Sequence, residues 1–111
     1  DDEIKELIEQ VKEAYGSVQG IDFLSEQDKL VHRTAFEESQ FTVLRLAEER
    51  GKYLSQWQSL NLTFTAGDSE DYILNCHQYA FESENILGLY YVNVNTRIDT
   101  GLDDMECEAC Q

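Results

Sequence analysis

Residues 60–98 constrain the fold more than any other stretch, because apolar and polar side chains exchange places there with the period of two that a half-buried strand requires. Leu60, Leu62, Phe64 and Ala66 alternate with Asn61, Thr63 and Thr65. Gly67, Asp68, Ser69 and Glu70 then break the run. Residues 71–81 and 86–98 follow, rich in the β-branched and aromatic side chains that favour a pleated surface and separated by Glu82, Ser83, Glu84 and Asn85. This pattern predicts a three-stranded antiparallel β-meander. A sheet with one apolar face is stable only against a second layer, so Leu60, Leu62, Phe64, Val92, Val94 and Ile98 are expected to face a cover, with Thr63, Asn93 and Asn95 turned outward.

The N-terminal half has the periodicity of that cover. Ile4, Leu7, Ile8, Val11 and Ala14 recur at the spacing of one helix face, which predicts a helix over residues 2–15 with Gly16 at its C-terminal end. Ser25, followed by Glu26, Gln27 and Asp28, has the form of a capped start and predicts a second helix running to Glu38. Ser39 opens a third helix, with Val43, Leu46, Ala47, Tyr53, Leu54 and Trp57 on one side and Gly51 in its interior at a cost of about 1 kcal/mol. The alternative for residues 40–58 is a hairpin turning at residues 49–52. The high helix propensity of Leu, Arg, Ala and Glu favours the helix.

A chain of 111 residues holds one hydrophobic core, which predicts a single domain over residues 1–101 and an acidic, flexible tail over residues 102–111. Twenty-three acidic against 8 basic residues give a formal charge of −15. Such a field repels phosphate backbones, which excludes direct nucleic-acid binding, and steers the protein toward a basic partner. No apolar run is long enough to span a bilayer, so no membrane partner is expected. The first residues lack the basic and apolar regions of a signal peptide, although Asp1 has the look of a trimmed terminus. Three cysteines are too few, and oddly numbered, for a secreted disulfide scaffold, which places the chain in the cytoplasm. The glycosylation triplet at Asn61 would matter only in a secreted protein.

Few residues carry the spacing of a chemical site. Cys107 and Cys110 form a CxxC pair, yet the acids around them would raise rather than lower a thiol pKa, and a zinc ion would need Cys76, His77 or His32 as well. On a strand, Cys76 and His77 would point to opposite faces. His77 and His32 have no strained nucleophile motif to serve, and no glycine-rich phosphate cradle is present. Asp68, Glu70 and Asp71 lack the spacing of a calcium loop. Three helices followed by a hairpin also follow the order of a winged helix-turn-helix, with residues 42–51 as the recognition helix. Its wing would then be acidic, which opposes DNA.

Together these features predict an α+β protein, with two or three N-terminal helices packed on a C-terminal antiparallel meander. Its function is read as non-enzymatic and free of cofactors and metals. It would be an inhibitor, immunity protein or nucleic-acid mimic that docks on a basic protein surface. The expected contact residues are Asp68, Glu70, Asp71, Glu82, Glu84, Tyr91, Asn93 and Asn95, where exposed rings and acids would meet the partner. A sensory or structural module of a larger protein is the alternative, after it the winged helix. An exposed edge strand would also allow a homodimer.

Overall fold

A computed structural model describes residues 1–97. The C-terminal half is a β-α-β unit, not a meander. Strand β1 (Asn61–Thr65) leads into helix α4 (Glu70–Glu82), which returns the chain to strand β2 (Tyr91–Asn95); helices α1 to α3 precede it. The two strands run parallel, in a register that sets Asn61 opposite Tyr91 and Thr65 opposite Asn95. A parallel pair needs a crossover of a dozen or more residues, and α4 provides it.

The expected middle strand is therefore a helix, and its local chemistry explains why. Ser69 caps it, its side chain accepting from the Tyr72 N–H at 3.1 Å, while Glu70 and Asp71 sit in the first turn against the positive end of the macrodipole. Tyr72, Cys76 and Ala80 are one turn apart and all buried, so the face that meets the core has a helical period. The turn expected at residues 67–70 is thus a loop and a helix cap. The last strand is also shorter than expected: Ile86 is buried in the preceding loop, and Ile98 lies outside the described residues.

The helical cover comes mainly from one element. Helix α1 spans Asp2–Glu13 and α2 spans Glu26–Val31, and neither buries a residue. Ile4 and Ile8 on the apolar face of α1 stay 56% and 47% exposed. Helix α3 (Gln40–Gly51) instead places Phe41, Leu44 and Ala47 in the core. This selects the helix over the hairpin for residues 40–51. The helix does not continue to Trp57, and Tyr53, Leu54 and Trp57 lie on the surface. The last residue of α3 is Gly51, where a Cβ would lie 2.1 Å from the Asn85 carbonyl oxygen, so only glycine lets that loop approach.

The capping box predicted at Ser25 is present: its hydroxyl accepts from the Asp28 N–H at 3.2 Å, and its own N–H donates to the Asp28 carboxylate at 3.3 Å. Helix α2 nevertheless ends at Val31 rather than Glu38, where Glu37 folds back to accept from the Thr34 N–H at 2.8 Å and from the Ser17 hydroxyl. Helix α1 ends in a Schellman turn. The Gly16 N–H reaches the Val11 carbonyl and the Tyr15 N–H that of Lys12, with Tyr15 and Gly16 both at positive φ, 54° and 92°.

The core lies between α3, α4 and β1. Phe64, Leu44, Leu62 and Cys76 are its largest fully buried side chains. Phe41, Phe64 and Tyr72 pack edge to face, with ring centroids 5.6 and 5.8 Å from Tyr72. Leu60, Leu62 and Phe64 are buried as expected, but Val92 and Val94 are 42% and 56% exposed, so β2 buries neither of the valines assigned to the core. Just ahead of β2, the Trp57 ring crosses the backbone at Gly88, where a Cβ would come within 2.6 Å of it.

Candidate functional site

The unit presents two sheet edges, and they differ. The Tyr90 N–H donates to the Leu60 carbonyl at 2.7 Å. From there, alternation in a parallel ladder turns residues 60, 62 and 64 of the first segment toward the second, and residues 61, 63 and 65 outward. On that outer side the Thr63 N–H donates to Gln40 Oε1 at 2.8 Å and the Thr65 N–H to Asp68 Oδ2 at 2.6 Å. Gln40 is only 2% exposed, and its Nε2 donates to the Ala35 and Glu38 carbonyls at 3.3 and 2.9 Å. The start of α3 is thereby tied to the outer edge of β1.

In this in-register pairing the backbone groups of Tyr91, Asn93 and Asn95 face β1, and those of Val92 and Val94 turn away from it. Tyr91 donates its N–H to Asn61 Oδ1 at 3.1 Å, and its ring meets that of Tyr90 with centroids 4.4 Å apart. Both rings are more than half exposed. The expected contact residues do not form one surface. Asp68, Glu70 and Asp71 stand at the start of α4, beside the C-terminal ends of both strands, whereas Glu82 and Glu84 lie at the far end of the helix, about 18 Å away at 1.5 Å per residue. Asp68 turns inward: one oxygen holds Thr65, and the other is buried with no hydrogen-bond partner. Glu82 accepts from Gln78 at 2.8 Å within its own helix.

Several interacting residues have no sequence signal. The carboxylate of Glu48 accepts from the Tyr79 hydroxyl at 2.5 Å and the Ser83 hydroxyl at 2.7 Å, joining α3 to the end of α4. The hydrogen bond from Tyr79, then that from Ser83, hold the Glu48 carboxyl below its ordinary pKa. Beside it is an open groove of about 350 Å³, lined by Thr42, Arg45, Leu46, Glu48, Glu49 and Tyr79. Tyr72 accepts from the Gln40 N–H at 2.8 Å, and burial pushes its phenol above the usual range. Only the placement of Tyr72 one turn before Cys76 could have pointed to it.

His77 is a packing residue, whereas His32 is exposed. His77 stacks on Phe64 with centroids 6.1 Å apart, and its Nδ1 lies 2.8 Å from the Ile73 carbonyl, as a donor. His32 ends α2. Among the described residues no group of three His, Cys, Asp or Glu is placed to hold a metal, and no helix is long and apolar enough to cross a membrane. Cys107, Cys110 and the acidic tail lie outside the described residues.

A strand, a crossover helix and a second parallel strand form the repeating unit of α/β enzyme folds, with the strands' C-terminal ends together. Residues 1–92 match the family model of the ribonucleotide reductase barrel domain, and the chain belongs to that family. It is 42% identical over 77 residues to a putative ribonucleoside-diphosphate reductase large subunit of Frog virus 3 (isolate Goorha), covering 69% of this chain and 14% of the relative. The large subunit of Invertebrate iridescent virus 6 is 37% identical over 92 residues, which is 81% of this chain and 10% of that protein. Large chain 2 of Saccharomyces cerevisiae is 34% identical over 77 residues, 69% of this chain and 9% of the yeast protein. The chain spans a seventh or less of the length of these relatives.

This membership corrects the functional expectation. The chain is a piece of an enzyme domain, not an inhibitor, immunity protein or nucleic-acid mimic, and the non-enzymatic reading fails with it. The sensory-module alternative is replaced by the same finding. The winged helix fails on topology too, because the segment after β1 that would complete its hairpin is helix α4. Charge and missing motifs misled here: a two-stranded segment of a barrel need carry no complete chemical motif of its own.

Proposed function

We propose that this chain is a wall segment of a ribonucleoside-diphosphate reductase large subunit, and that the complete enzyme acts on ribonucleoside diphosphates. The observation that carries this reading is the in-register parallel pairing of β1 and β2 within the stretch that matches the barrel-domain family. In α/β barrels the chemistry gathers at the C-terminal ends of the strands. Here that end carries Thr65, Asn95 and the loop at Asp68, so these residues would lie nearest the substrate. A cytoplasmic location fits an enzyme of nucleoside diphosphates, which are solutes of that compartment.

A graft tests the reading. The matching segment of the Frog virus 3 relative is replaced by this chain, and reduction of a ribonucleoside diphosphate is measured under conditions in which the parent is active. Activity within about tenfold of the parent is expected. A graft that folds like the parent, by circular dichroism and melting, yet reduces no diphosphate would overturn the proposal.

A further inference from the structure

We draw no further inference here: the strongest candidate, the open groove between α3 and α4 lined by Arg45, Leu46, Glu48 and Tyr79, carries none because nothing in the structure shows what covers it.

Discussion

The backbone N–H of Gln40 donates to the hydroxyl of Tyr72 at 2.8 Å, a bond between the first residue of α3 and the first buried residue of α4. The opening amides of a helix have no partner within it, and here a buried phenol on the crossover helix serves one of them. Gln40 uses its side chain at the same point to hold β1, so this one residue fixes two helices and a strand together.

Tyr72→Phe should therefore destabilise the fold by about 1–3 kcal/mol, because it strands a buried N–H while preserving the ring packing. Urea denaturation of the two proteins measures the difference. The wild type should also lose stability in alkali. Burial raises the phenol's pKa in the folded state, so its contribution is full below the ordinary value of 10.0 and fades as pH rises above it, and Tyr72→Phe should remove that part of the alkaline loss.

Glu48 has the opposite sign. Its folded-state pKa lies below the ordinary 4.5, owing to the Tyr79 and Ser83 hydroxyls, so its contribution is present above pH 4.5 and is lost as pH falls through the lowered value. Stability measured from neutral pH downward should drop in the wild type over that window. Glu48→Gln should start lower and show a shallower drop, and a parallel pair of curves would refute the assignment.

Gly51→Ala tests a close approach. Alanine would improve helix propensity by about 1 kcal/mol in an open helix, but its Cβ here would sit 2.1 Å from the backbone oxygen of Asn85. The clash is with main chain and cannot be relieved by a rotamer change. A net loss of about 1–3 kcal/mol, as for other overpacked sites, is expected in thermal melts.

Tyr15→Gly should act the other way. Tyr15 holds a φ of 54°, the left-handed region that costs a residue with a side chain about 1–2 kcal/mol. Glycine escapes that strain but loses more entropy on folding, leaving a gain of a few tenths to about 1 kcal/mol. Chemical denaturation should show the increase, confined to the α1 region if exchange is followed by residue.

The legible parts of this fold were those decided within one element. The Ser25 capping box, helix α3 from Ser39 onward, and β1 with Leu62 and Phe64 inward all follow from local spacing. Helix α4 carried two conflicting signals. Tyr, Ile, Asn, Cys and His are modest helix formers that read as strand, while Ser69 with two acids after it, and Tyr72, Cys76 and Ala80 at intervals of four, mark a capped helix. Tertiary packing settled the conflict in favour of the second. The roles of Gln40 and Glu48 depend on partners 23 to 35 positions away, which no local pattern encodes. The exposure of Val92 and Val94 was illegible for another reason: their β-branched alternation is right for a core strand, and the surroundings that would bury them are not contributed by the described residues.

The ring of Trp57 over Gly88 gives the protein a built-in optical reporter. Trp57 is the only tryptophan in the sequence, it is 54% exposed, and it leans on the loop that delivers the chain into β2. Its tryptophan fluorescence thus has a single origin, and that origin is the loop that enters β2. Opening or burial of that loop will shift the emission, so its state can be followed in real time without a label.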